Sequence, residues 1–345
     1  MDTASLNGST FASLLCAKPA ILLLSSQPSL KLPIGAVSAV GSLLHNWDLQ
    51  ILLCPSWAWE VGNVCRELVS EARLYSAAHP RHQLWLMCNN DEQHRLVTKD
   101  GWQSVIFNTN MFVDESTFRP LLDACPIFDA VYNARLIDVK RHQLASLIDR
   151  LALVYFYDSH KHTPVEFHNE HARLRRLLPQ AVFINRLTPD GCEWLSGRTV
   201  NSVLNTARVG LCLSAVEGQM RASIEYLVAG LPIVSTRSVG GRDYFFDDDY
   251  CVVVGDDPRE IRDAVAAIIA RNIPRDYIRN KTMARVTRER DRFVEWVQDF
   301  IDRNAGNDRF AQRFEHMLRN GGLRPCVSVS DFARNTIDAL NRTEP

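Results

Sequence analysis

The chain carries no excess charge of either sign. Lys plus Arg number 39 and Asp plus Glu 40 in 345 residues, a formal net charge of −1. That balance gives no sign of the broad basic face of a dedicated nucleic-acid binder, and none of the acidic excess of a solvating, disordered chain. Lysine is scarce (Lys18, Lys31, Lys99, Lys140, Lys161 and Lys281), so nearly all the positive charge is arginine. No apolar run approaches the ~20 residues that cross a bilayer; Lys18 separates 11–17 from 19–24. Asp2 stands where a secretory leader would be positive, so 20–26 reads as a buried first strand. Cysteines number 9, an odd and scattered set without C-x-x-C. They read as reduced, mostly buried thiols of a cytosolic protein, not as a disulfide framework or a zinc ribbon. G-x-G-x-x-G, G-x-x-x-x-G-K-[ST] and G-x-S-x-G are all missing. Their absence removes the main sequence support for a dinucleotide dehydrogenase, a P-loop phosphotransferase or an elbow-type serine hydrolase. No repeat of 20–50 residues and no low-complexity tract is present.

What the chain has is 46% hydrophobic and 23% charged residues, an ordinary soluble composition with large cores. Short apolar runs alternate with amphipathic stretches. Strands are expected at 20–26, 49–54, 83–87 and 104–107, and helices at 36–45, 61–78 and 91–96. The segment 111–126, with two prolines, breaks this rhythm and marks a domain boundary. Beyond it, strands are expected at 130–133, 151–157, 181–185, 209–213, 232–236 and 251–254. Helices are expected at 141–150, 165–178, 200–206, 221–229, 258–271, 277–303, 309–318 and 330–340. Asp257-Pro258 is a helix start, a cap followed by proline in the first turn. Alternating strands and helices imply α/β architecture with parallel sheets. The expected organisation is a short N-terminal Rossmann-like domain over 1–112, a second over 113–305, and C-terminal helices over 306–345 returning to the first. Two such domains imply a cleft, with ligands beyond the carboxyl ends of the strands.

The most informative stretch is 210–241, GLCLSAVEGQMRASIEYLVAGLPIVSTRSVGG. A strand runs to Ser214, a loop to Glu217-Gly218, a helix to Gly230, and a second strand follows Pro232. Eight helical steps from Glu217 to Glu225 would rise ~12 Å, enough for two carboxylates to reach two parts of one extended ligand. Gly218 permits close backbone approach, and the amides at the helix start favour an anion. An isolated E-x7-E is more often a cap and a surface ion pair.

The context favours the functional reading. The strand–Ser–x–x–Glu–Gly–helix–Glu–x4–Gly–Leu–Pro pattern resembles the retaining glycosyltransferases of family 4, "glycosyl transferases group 1", with the GT-B fold. The segment from Asn133 to Arg141, with Arg135 and Lys140, resembles that family's G-R-L-x3-K-G. The segment from Asn110 to Pro120 resembles its N-x-V-D-x-x-x-F-x-P. The likeness covers about 110–271; residues 1–100 match only in layout. It implies transfer of a sugar from a nucleotide-diphosphate donor to a glycan, lipid or small-molecule hydroxyl, with retention. Arg135 and Lys140 would hold the diphosphate. Glu225 would bind the ribose diol. Glu217, with the backbone of Gly218, Gln219, Met220 and Arg221, would face the sugar. The leaving phosphate would help take the acceptor's proton. Neither an obligate metal nor a cofactor is implied. Independently, two cations and a helix start suit charge growing on a leaving diphosphate. Losing Lys140 would cost ~10²–10³-fold in turnover, with little effect on stability for a cation near solvent. The chain departs from the family pattern at Asn133, Asn185 and Met220, each in place of glycine, and in Asp158-Ser-His-Lys-His after 155–157. A nucleotide-sugar epimerase, with His160 and His162 as its acid–base pair, and a non-catalytic nucleotide-sugar binder are the alternatives. A cytoplasmic location is expected; peripheral membrane contact and oligomeric state stay open.

Weaker signals surround this core. His160, His162, His168 and His171 crowd one stretch, but lack H-E-x-x-H and a thiol partner, so a polar loop is the better reading of them. Asp247-Asp248-Asp249 contains D-x-D, better read as a solvated turn. Trp57 and Trp59 could stack an acceptor sugar, with Asn89 nearby, although tryptophans more often pack.

Overall fold

The computed structural model describes residues 9–25, 34–54, 57–159, 162–304, 306–319, 323 and 325–342. The chain forms two units, one of residues 1–112 with 287–345 and one of 113–286. In chain order the first stretch holds β1 (Ser9–Ala17), β2 (Ala20–Ser25), α1 (Gly35–Leu43), β3 (Leu49–Cys54), α2 (Val64–Ala78), β4 (His82–Cys88), α3 (Asp91–Lys99) and β5 (Ser104–Ile106). The second unit holds β6 (Phe128–Asn133), β7 (Leu151–Val154), α4 (Pro164–Leu177), β8 (Val182–Phe183), β9 (Leu187–Thr188) and β10 (Gly191–Cys192). It continues with α5 (Gly197–Asn205), β11 (Ala207–Cys212), α6 (Arg221–Val228), β12 (Ile233–Thr236), β13 (Cys251–Val254) and α7 (Pro258–Ala270). Then come α8 (Arg275–Arg303), α9 (Phe310–Arg319), β14 (Cys326–Ser328) and α10 (Val329–Asn341). The unit division falls between Val286 and Thr287, within α8, and not near 305.

In the first unit the strand order is β14-β1-β2-β3-β4-β5. β2 to β5 are parallel, and β2 is buried along its whole length, as a strand covered on both faces must be. β1 pairs antiparallel with β2 on one side and with β14 on the other. The expected parallel sheet thus gains an antiparallel edge from β1 and β14, and the expectation of no strand after Val254 is corrected. The run 11–17 is short and apolar enough to complete the sheet, and β14 closes onto it from more than three hundred residues away. One core gathers Leu22, Ile51, Leu53, Leu68, Leu84 and Leu86 with Val329, Phe332 and Leu340 of α10.

The second unit's six-stranded sheet has the order β13-β12-β11-β6-β7-β8, with every pairing parallel, and β9 and β10 form a separate antiparallel pair. The strand order reverses between β6 and β11, which makes that pair the topological switch point. Helix starts follow the chemistry expected of them. Thr163 and Glu166 form a reciprocal capping box before Pro164, and Asp257 caps α7 through the Arg259 amide. The helix expected over 141–150 is not formed. Two short 3₁₀ turns, Asp138–Lys140 and His142–Ala145, flank Arg141, whose φ of 50° no right-handed helix accepts. No helix among the described residues is long and apolar enough to cross a membrane.

Candidate active site

Parallel pairing puts the carboxyl ends of β6, β7, β11 and β12 along one edge of the second sheet. The loop after β6 carries Arg135 and Lys140, and the loop after β11 carries Glu217. These two strands flank the switch point, where open α/β sheets bind ligands. Lys140 Nζ donates to Glu217 Oε1 in a salt bridge that is 9% exposed on the lysine side chain and 7% on the glutamate. The expectation of a near-solvent Lys140 is corrected: the ammonium is buried and paired across 77 positions of sequence.

Each partner is held from behind. The Tyr132 hydroxyl donates to the Lys140 carbonyl at 2.6 Å and lies 3.4 Å from Ser214 Oγ; complete burial holds the Tyr132 phenol far above its ordinary range. His142 is buried beneath Tyr132, ring centroids 5.0 Å apart. Burial pushes its imidazole down to about 3, so it is neutral and carries no proton-transfer role near pH 7. The Glu217 amide donates to the Val239 carbonyl at 2.9 Å, and the Gly241 amide to the Gly218 carbonyl at 2.6 Å. Asn133, in place of the family's glycine, has its amide satisfied by Tyr226 Oη at 2.6 Å. Gly210 leaves room for that ring: a Cβ there would lie 2.3 Å from Tyr226 Cδ2.

Helix α6 starts at Arg221, so Glu217 lies outside it and only Glu225 is helical. Met220, at the cap, adopts φ 44°, the left-handed conformation that glycine takes without cost. Met220 thus takes a conformation that favours glycine while burying a side chain. Gln219 is half-buried and Arg221 exposed. Glu225 is 8% exposed, and among the described residues its carboxylate has neither a hydrogen bond nor a salt bridge. Burial raises its pKa to about 7, with Arg221 offsetting part of the rise.

Arg135 does not join this pair. Its Nη1 donates to Asp158 Oδ2 at 2.7 Å, which ties the loop after β6 to the loop after β7. Asn185 likewise has a structural role. Its Oδ1 accepts the Tyr155 amide at 2.9 Å and its carbonyl the Tyr155 hydroxyl at 2.6 Å.

The weaker signals resolve plainly. His168 Nε2 lies 2.9 Å from the Thr188 carbonyl, and His171 packs edge-on against Phe183; His160 lies outside the described residues. Lys281 bridges Asp247 at 2.8 Å and Asp249 at 2.5 Å, which makes the D-x-D an ion-paired turn. Among the described residues no group of three His, Cys, Asp or Glu side chains could hold a metal ion. In the first unit Trp59 is 2% exposed and part of the core, so its faces are not open to a sugar; Trp57 is half-exposed. Asn89 is fully buried, its carbonyl and Oδ1 accepting from Asn108 and Thr109. Two site arginines had no signal in composition or spacing. Arg141 Nε donates to the Leu213 carbonyl and Nη2 to Thr236 Oγ1, both at 2.6 Å. Arg242 is buried against strand ends.

Two six-stranded α/β sheets with this switch-point geometry have known counterparts. No family model matches the chain, and no curated protein does. Solved structures do. Anabaena HepE, solved in complex with UDP and glucose, matches with TM-score 0.51 at 11% identity, over 77% of this chain and 81% of its own. The α,α-trehalose 6-phosphate synthase of Burkholderia multivorans matches with TM-score 0.54 at 13% identity, over 83% and 71%. The fold is GT-B. The UDP-forming α,α-trehalose-phosphate synthase of Burkholderia vietnamiensis shares it, with TM-score 0.51 at 11% identity over 76% and 70%. Within this GT-B chain, Lys140, Glu217 and Glu225 all belong to the second unit.

Proposed function

We propose that the chain is a glycosyltransferase that moves a sugar from a nucleotide-diphosphate donor to a hydroxyl acceptor, with retention at the anomeric carbon. The observation that carries this reading is the buried Lys140–Glu217 pair at the switch point of a GT-B second unit. As the donor bond breaks, negative charge grows on the leaving diphosphate. Lys140 and the amides at the start of α6 stabilise that charge, and fixed groups do so without reorganising; Arg135, held by Asp158, is left out of this clamp. Glu217, already within reach of Lys140, orients the transferred sugar beside the cation. Glu225 suits a ribose diol, because two hydroxyl donors supply what its buried carboxylate lacks. The leaving phosphate assists in taking the acceptor proton, so no side-chain nucleophile is assigned, and the reaction is read as independent of a cofactor or divalent metal. The acceptor is a glycan, lipid or small-molecule hydroxyl, with half-exposed Trp57 the better placed of the two tryptophans to meet it.

HepE binds UDP and glucose and one synthase is UDP-forming, so UDP-glucose is the first donor to test. UDP release is followed with and without a panel of hydroxyl acceptors, and with and without chelator. Acceptor-dependent release that survives chelation is expected. Glu217→Gln should lower turnover without weakening UDP binding, since it removes the charged contact to the sugar and frees Lys140 of its counter-charge. Equal loss of UDP affinity would move Glu217 to the nucleotide; donor consumption without acceptor would overturn transfer in favour of epimerisation or hydrolysis.

A further inference from the structure

We propose that Arg242 is a positioning residue for Glu217, acting with Arg141 across the end of β11. Arg242 is among the largest fully enclosed side chains, with no exposed side-chain surface. A buried guanidinium is costly unless its donors are used, and apolar packing alone would be served by methionine or leucine. Here the donors are used on strand ends. Nη1 donates to the carbonyls of Cys212 at 3.2 Å and Ser214 at 2.9 Å. Nη2 donates to the Thr236 carbonyl at 2.5 Å, and Nε to Asp243 Oδ1 at 2.6 Å. From the other side Arg141 takes the intervening carbonyl, Leu213, and the Thr236 hydroxyl. Three consecutive carbonyls, at 212, 213 and 214, are thus held by two planar donor forks, and Thr236 is held by both.

The clamp sits where geometry matters for the pair. Directly beyond Ser214 the chain leaves the sheet toward Glu217, and directly beyond Thr236 it leaves toward Val239 and Gly241, whose backbone bonds fix Glu217 and Gly218. Arg141 follows Lys140 in sequence, and its left-handed φ turns the chain so that the guanidinium reaches back to β11 and β12. Lys140 is therefore fixed through Arg141, and Glu217 through the strand end that Arg242 holds. The hydrogen bonds of Arg242 go to backbone carbonyls and to Asp243, and its charge also attracts Glu217, so it acts on the pair through the backbone and through space. A five-donor fork matches this geometry and an ammonium does not.

The kinetic readout rests on the glycosyl-transfer reading; a second readout does not. Arg242→Lys and Arg242→Met are made in the wild type and in Glu217→Gln, and assayed with UDP-glucose. Arg242→Lys should lower kcat ~30-fold with donor KM within about twofold, and should add almost nothing to the Glu217→Gln loss, because residues acting as one unit are non-additive. Hydrogen exchange of the full chain should show the Glu217 and Gly241 amides at least about tenfold faster, with β7 and α4 unchanged. Unchanged kcat, or a loss that multiplies in the double variant, overturns the proposal. So does unchanged exchange, or acceleration spread evenly over the sheet, which would make Arg242 a general core residue. If Arg242→Met does not fold, Arg141→Gln probes the same strand ends at the intervening Leu213 carbonyl and the Thr236 hydroxyl, with the same expectations. If no nucleotide sugar is turned over, the glycosyl-transfer reading fails, and exchange alone decides the positioning role.

Discussion

At Lys140 and Glu217 one buried pair of side chains carries both stability and the proposed chemistry. Removing one partner of a buried ion pair leaves the other charge desolvated and alone, at a cost of ~3 kcal/mol. Lys140→Ala is therefore expected to lower both turnover, by ~10²–10³-fold, and melting temperature, whereas Lys140→Met with Glu217→Gln should recover much of the lost stability and none of the activity. Thermal melts and turnover of the two variants check this; a single variant as stable as wild type would place the ammonium in solvent. Glu225 makes a pH prediction. Its carboxyl rises from the ordinary 4.5 to about 7 in the folded chain, so the folded state holds this proton more tightly than the unfolded state. Stability from that group is fully present below pH 4.5 and is lost as pH rises through 7. Over the shift the loss is ~3 kcal/mol. Glu225→Gln should match wild type in urea melts at about pH 4 and exceed it by ~3 kcal/mol at about pH 8. An offset independent of pH would mean that the carboxylate ionises freely. The identities of Lys140, Glu217 and Glu225 were legible in the sequence through their spacing in family-like motifs. Their contacts were not: the Lys140–Glu217 bond spans 77 positions, and Glu225's lack of a partner is a property of what packs around it.

At the scale of elements, α6 is delimited by two left-handed residues, Met220 with φ 44° and Gly230 with φ 78°. The second tolerates no side chain. A Cβ on Gly230 would lie 2.6 Å from Arg275 Cβ and 2.8 Å from its carbonyl oxygen. Gly230→Ala should cost ~2 kcal/mol through the left-handed backbone and the clash together. That is a fall of ~4–8 °C in the melting temperature, read by calorimetry. A change below about one degree would show that Arg275 moves aside freely. The start of α6 was readable from Glu-Gly and its end from Ala-Gly-Leu-Pro, because caps and breakers act within a few residues. The missing helix after Lys140 was not readable. Local propensity over 141–150 suits a helix, but Arg141 instead gains bonds to Leu213, Thr236 and Asp256, of which the nearest lies 72 positions away.

At the scale of the molecule, each unit has its own sheet and its own core. Phe332 of α10 belongs to the core of the first unit, together with residues of β2, β3 and β4. Phe332→Ala should cost ~3 kcal/mol there. Exchange should quicken through β2 and β3 and stay unchanged in β6, β7 and β11; equal acceleration in both sheets would show that the units unfold as one. The amino-acid sequence by itself determined the α/β class and the place of the second unit's central strands, and it nominated Lys140, Glu217 and Glu225 as candidates. It could do so because strand runs, helix periods, caps and glycines are local signals, each complete within a few turns of chain. Only the tertiary structure decided that β1 and β14 close the first sheet antiparallel, that Lys140 is buried against Glu217, and that Arg242 lies beneath the site. Those outcomes come from pairing and desolvation between segments far apart in the chain. An arginine in the core reads in sequence like any solvated arginine until the carbonyls that surround it are known.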